Sequence, residues 1–115
     1  MAQVKNERNG QLLVMDLEFA KGTLKRMKGL LGRRNLPQGQ GLWFDRTNSI
    51  HTFFMKFTID VVFLDGDGTV RGLVKELRPW RLVLPVLSAV NCLELPAGTL
   101  QRTDTRKGDH LRVEA

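Results

Sequence analysis

Apolar and polar side chains alternate with a period of two over residues 12–20. Leu13, Met15, Leu17 and Phe19 fall on one face, with Asp16 and Glu18 on the other. This period predicts a half-buried strand. Gly22-Thr23 breaks it, and Thr23 is placed to cap a short helix in which Leu24, Met27, Leu30 and Leu31 recur at helical spacing. Gly29 and Gly32 weaken that helix, and Gly32 is a natural stop. Residues 37–41, Pro-Gln-Gly-Gln-Gly, read as a loop. From Leu42 onward the pattern is mainly β. Leu42-Trp43-Phe44 is a short apolar run, and residues 49–55 and 58–64 are rich in β-branched and aromatic side chains. Asp65-Gly66-Asp67-Gly68 predicts a hairpin between strands at 61–64 and 69–77. Arg78-Pro79-Trp80-Arg81 ends the second of these. Further short strands are expected at 82–86 and 92–95, a helical turn within 100–106, and a last strand at 110–114. Many short strands and one or two short helices predict an α+β fold. It is a compact single domain over residues 1–115, built on a mainly antiparallel, β-barrel-like sheet. The polar residues 1–10 read as a flexible lead-in.

A chain of 115 residues matches one domain at roughly 100–200 residues each. Hydrophobic residues at 42% and charged residues at 26% exclude a disordered or collagen-like chain. Cys92 is the single cysteine, which excludes an internal disulfide and a multi-cysteine zinc site. Residues 1–10 have no apolar core of a signal peptide. The longest uncharged stretch, 82–93, is broken by Pro85 and falls short of the about 20 apolar residues of a membrane span. These features predict a soluble, cytoplasmic protein with no membrane span. The net charge of +6 is concentrated at the start of the chain: residues 1–34 hold eight basic and three acidic side chains. Lys21, Lys25, Arg26, Lys28, Arg33 and Arg34 follow one another with no acid between them. Such a run suits a phosphate backbone. The competing reading is a solvated helix face, favoured by the lack of interleaved aromatic residues.

Five ordered blocks resemble a known family. They are Gly29-Leu30-Leu31-Gly32-Arg33, then Gly41-Leu42-Trp43-Phe44, then the central stretch from Thr52-Phe53-Phe54-Met55-Lys56 through Asp60 to Asp65. Leu93-Glu94-Leu95-Pro96-Ala97-Gly98 and Gly108-Asp109 complete the set. Together they are similar to the domain of unknown function 192 family of bacteria and archaea, over roughly residues 12–114. The resemblance implies a compact α+β domain around a β-barrel-like sheet. It supplies no catalytic residue to carry over, and no cofactor is expected.

Among individual residues, Asp60 stands out as a carboxylate inside the apolar run 57–64. It needs hydrogen-bond or charge partners there. A general base, with His51 as its partner across two strands, is one reading; a structural carboxylate is the other. His110 lies far along the chain, and two histidines with Asp60 or Glu94 lack the spacing of a metal motif, so no metal is assigned. Asp65 to Thr69 has a flavour of a calcium loop, but Val70 stands where that loop needs glycine, and the flanks read as strands. Ser88 and Cys92 sit in no nucleophile motif, and Cys92 reads as a small core residue. Arg78-Pro79-Trp80-Arg81 offers two guanidiniums around an indole, fit to hold an anionic or planar ligand. Glu94 alternates with apolar neighbours and reads as facing solvent or pairing with one of these arginines.

The expected function is a non-enzymatic ligand-binding or accessory module, with a polar cleft of His51, Met55, Lys56, Asp60, Arg78, Trp80 and Glu94 that takes a small ligand or a protein partner. The alternatives are a small hydrolase or lyase using Asp60 and His51, and a nucleic-acid-associated protein using residues 21–34.

Overall fold

A computed structural model describes residues 2–20 and 35–115. The elements are β1 (Ala2–Asn6), β2 (Leu12–Phe19), β3 (Gln40–Asp45), β4 (Ile50–His51), β5 (Ile59–Leu64), β6 (Val70–Leu77), β7 (Leu82–Val83), β8 (Asn91–Pro96), α1 (Thr99–Arg102) and β9 (Leu111–Glu114). Seven strands form one sheet in the order β6-β5-β8-β3-β2-β1-β9, and β4 pairs with β7 in a separate ribbon. Every neighbouring pair is antiparallel except β2–β3, which is parallel. The two edges of the large sheet meet at one corner. Thr69 bridges His110, the Val70 N–H donates to the Asp109 carbonyl at 2.8 Å, and the Leu111 N–H donates to the Gly68 carbonyl at 2.9 Å. The sheet is thus a curled half-barrel, close to the barrel-like form expected.

The hairpin at Asp65 forms as the turn chemistry predicts. Asp65 Oδ1 accepts the N–H groups of Asp67 and Thr69 at 2.9 and 3.0 Å, and Gly68 takes φ 87°. Residues 2–10, expected within a flexible lead-in, are ordered. β1 pairs with both β2 and β9, and Val4 and Asn6 are fully buried. This pairing also corrects the alternation expected in β2. The register slips between Val4↔Val14 and Lys5↔Leu12, so Val14 is buried while Met15 is exposed. The strand expected over 49–55 contracts to two residues, because Thr52 starts a turn in which the Met55 N–H returns to the Thr52 carbonyl at 3.1 Å. That expected over 82–86 contracts to Leu82–Val83, ahead of Pro85, which has no N–H to give. The helix expected near residues 23–32 and the basic run at 21–34 lie outside the described residues.

The large sheet has an apolar cluster on each face. Leu42, Phe44, Ile59, Val61, Phe63 and Cys92 belong to one, joined by Met55, Ala89 and the partly buried Ile50, Val83 and Val86. Val62, Leu64, Leu93 and Leu95 alternate onto the other, with Val4, Leu13, Val14 and Leu100. The β4–β7 ribbon therefore lies over the first face. α1 lies over the second.

Candidate binding surface

The ribbon is built from residues 46–58 and 77–91. Ile50 stands opposite Val83 and His51 opposite Leu82. Ile50 and Val83 pack inward on the first cluster, so the period-two alternation turns His51 and Leu82 outward. Thr52, fully buried, locks the two segments together. Its hydroxyl donates to the Arg78 carbonyl at 2.6 Å and accepts the Arg81 N–H at 2.9 Å. Its backbone carbonyl accepts the Trp80 N–H at 2.9 Å. This clamp holds Phe54 at φ 67° and Trp80 at φ 64°, a left-handed backbone that bulky side chains seldom adopt.

The clamp presents a chain of rings. His51 stacks on Phe53 with centroids 4.9 Å apart, Phe53 stacks on Trp80 at 6.0 Å, and Phe54 tilts against Trp80 at 4.6 Å. The rings pack on one another and still face water: Phe54 is 69% exposed and Trp80 56%. Leu82 at 62% and Leu84 at 73% continue the same side, and Leu87 at 91% stands at the tip of the turn closed by the Ala89 N–H on the Val86 carbonyl. Arg46, Lys56, Arg78 and Arg81 are exposed within the same two segments, which contain no Asp or Glu. The remaining described residues hold eight basic and twelve acidic side chains. Among the described residues these two segments carry the net positive charge, and they combine exposed apolar side chains with exposed cations.

The other residues singled out from the sequence do not gather here. Met55 is buried in the first cluster rather than lining a cleft. Asp60 is fully buried and directed to the opposite face, where Oδ1 accepts the Glu76 N–H and Oδ2 the Leu100 N–H, both at 2.8 Å. It ties the start of α1 to β6, at a point where Glu76 takes φ 54°. A shallow depression of about 180 Å³, edged by Lys75, Glu76, Gly98 and Gln101, opens beside it. No hydrogen bond joins Asp60 to His51, and the sheet separates them. Glu94 is buried, against the expectation that it faces solvent; it sits between Leu42 and Val61 on the neighbouring strands. Burial pushes the Cys92 thiol well up, and the Glu94 charge adds to that. Such a thiol is a core group and not a nucleophile. Ser88 is exposed in the turn after Leu87. His110 pairs with Glu7 at 3.1 Å beside the β1 hairpin.

Phe53, Phe54, Leu82, Leu84 and Leu87 are the members of this surface that sequence reasoning did not assign. Their signal was the lack of any acid across 46–58 and 77–91, where Arg46, Lys56, Arg78 and Arg81 stand among many apolar side chains. Read strand by strand, those apolar residues pass for core.

Similar proteins match most of the chain's length. A UPF0127 protein of Thermococcus sibiricus is 34% identical, over 95% of this chain and 73% of its own. A UPF0127 protein of Pyrococcus furiosus is 32% identical, over 92% of this chain and 93% of its own. Two crystal structures match in fold. One, from Sinorhizobium meliloti, is named as a candidate transcription regulator (TM-score 0.83, 24% identity, 97% of this chain and 91% of that one). The other is a protein of unknown function from Novosphingobium aromaticivorans (TM-score 0.82, 19% identity, 96% and 82%). The model of DUF192, described as "Uncharacterized ACR", matches residues 4–113. That match runs from the buried Val4 of β1 to β9 and takes in both clusters and the ribbon, so the chain belongs to the DUF192 family.

Proposed function

We propose that this protein is a non-enzymatic binding module whose partner-facing surface is the outward side of the β4–β7 ribbon. One observation carries the reading: Phe54, Trp80, Leu82, Leu84 and Leu87 stand in water on a backbone that Thr52 clamps from beneath. Single exposed apolar residues are ordinary, but a rimmed group of them marks an interaction site. The strain at Phe54 and Trp80 supports this, because unfavourable backbone persists where the surrounding structure enforces it. The chemistry present also suits binding better than turnover. The Asp60 carboxylate is engaged by two backbone donors, and the His51 ring lies against Phe53.

Anilinonaphthalene sulfonate tests this, since it pairs an apolar ring system with an anion. The native protein is expected to enhance its fluorescence under conditions where far- and near-UV spectra show a folded chain. The Phe54→Ser/Leu87→Ser double variant, changed only at exposed positions, is expected to lose most of that signal with an unchanged urea midpoint. Equal enhancement by the variant, or none by the native protein, would overturn the assignment.

A further inference from the structure

We infer that the partner of this face is the surface of an anionic lipid bilayer, an inference that rests on the ribbon being a binding surface. Two features choose a bilayer over a protein or a second copy. The first is shape. Leu87 and Phe54 project from turns, Phe54 against Trp80, and Leu84 is exposed beside them in sequence. Exposed Leu and Phe beside Trp suit the boundary between headgroups and acyl chains, where Trp concentrates and Lys and Arg lay their stems along apolar surface with their charges in the headgroups.

The second feature is charge. Lys56, Arg78 and Arg81 are exposed in the same two segments as the apolar residues, and those segments hold no Asp or Glu. An anionic surface attracts these cations and the +6 chain that carries them. A second copy docked face to face would oppose these three cations to their own copies. No helix among the described residues is long and apolar enough to cross a membrane, so the contact proposed is with the interface alone.

The test uses the full chain and vesicles of phosphatidylcholine, alone or mixed with an equal part of phosphatidylglycerol. In a Trp43→Phe background Trp80 is the only indole, and its emission reports the ribbon directly. Co-sedimentation and a blue shift are expected with the mixed vesicles and not with the neutral ones. Arg78→Gln and Arg81→Gln are each expected to weaken partitioning about fivefold. Leu87→Ser is expected to weaken it about tenfold or more. Adsorption that ignores Leu87→Ser and Phe54→Ser while vanishing in salt would mean bulk attraction to a +6 chain, and would overturn the inference. Equal binding to neutral vesicles would overturn it as well. Failure to bind either vesicle while the sulfonate dye still reports the ribbon removes the bilayer and leaves the binding surface standing. Loss of both signals removes the surface itself.

Discussion

Thr52 and Arg81 hold each other reciprocally: the Thr52 N–H donates to the Arg81 carbonyl at 2.8 Å, and the Arg81 N–H donates to the Thr52 hydroxyl at 2.9 Å. Each residue thus fixes the other's backbone. The same hydroxyl donates to the Arg78 carbonyl, so one side chain spans the Arg78–Arg81 turn. A turn exposing an indole between two guanidiniums has little packing of its own to order it. Here the order comes from a buried threonine 26 to 29 residues away in sequence.

Thr52→Val isolates that contribution, because it keeps the shape and removes the hydroxyl. It leaves the Arg81 N–H and the Arg78 carbonyl without their partner. The expected cost is about 1–3 kcal/mol, the range for a polar group stripped of its bond in a buried site. A urea melt gives the number. In a Trp43→Phe background, Trp80 emission should also broaden and quench more readily than in the parent. An unchanged midpoint with unchanged quenching would mean the ribbon is held by its apolar underside alone.

Asp60→Asn tests the carboxylate as a clamp. The carboxylate accepts from Glu76 and Leu100 at once, whereas an amide offers one acceptor and one donor, so one N–H must face another. The expected loss is about 1–3 kcal/mol or more, since the site is fully buried. Protection of the Leu100 amide from hydrogen exchange should fall with it. A loss under about 0.5 kcal/mol, the size of a neutral surface change, would show that Asp60 does not tie α1 to β6.

The parts of this fold that the sequence made legible are those decided within a few residues. The Asp65 hairpin follows from the carboxylate, the glycine at 68 and the β-rich flanks. Asp60 was legible as a group in need of partners, but not which ones, because Leu100 lies 40 residues away. The burial of Val14 in place of Met15 depends on a register slip against β1, whose short Ala2-Gln3-Val4-Lys5 alternation sits in a polar stretch read as a lead-in. The binding surface divided in the same way. Arg78 and Trp80 were found from local chemistry. Phe54, Leu82 and Leu84 passed for core because only long-range pairing, Thr52 with Arg81 and Ile50 with Val83, turns them outward.

Gly68 and Gly66 share one hairpin and should respond in opposite ways. A Cβ at Gly68 would stand 2.6 Å from the Leu111 carbonyl oxygen, on a residue held at φ 87°. That carbonyl belongs to the corner where the two sheet edges meet, so it has no room to yield. Gly68→Ala should therefore cost more than about 1 kcal/mol, while Gly66→Ala, with open space at its Cβ, should stay within about 0.5 kcal/mol. Thermal melts of both variants decide this. Equal shifts would mean the corner is not a close contact.

Cys92 should behave as a buried hydrocarbon. Its thiol has no exposure, and burial with the Glu94 charge raises it well above the ordinary thiol range. A disulfide reagent at neutral pH is expected to react only as the chain opens, at a rate that climbs with urea alongside unfolding. Rapid labelling of the native protein would show that the first cluster opens locally.

Acid should unfold the protein in part through Asp109. Burial pushes its carboxyl up, but the Arg8 Nε–H, the Asn6 amide and the Arg106 N–H, each at 2.8 Å, pull it down and prevail. The folded carboxyl therefore ionises below the ordinary Asp value of about 3.9 that applies to the unfolded chain. As pH falls the unfolded chain takes up its proton first. The stability this group contributes is full above about pH 5 and declines as pH drops through the folded value. Asp109→Asn keeps the shape and removes the charge. The gap in urea midpoint between parent and variant should be largest near neutral pH and shrink at about pH 3. A gap that stays constant across that window would show that the Arg8–Asn6–Asp109 network stabilises through packing and not through the carboxylate's charge.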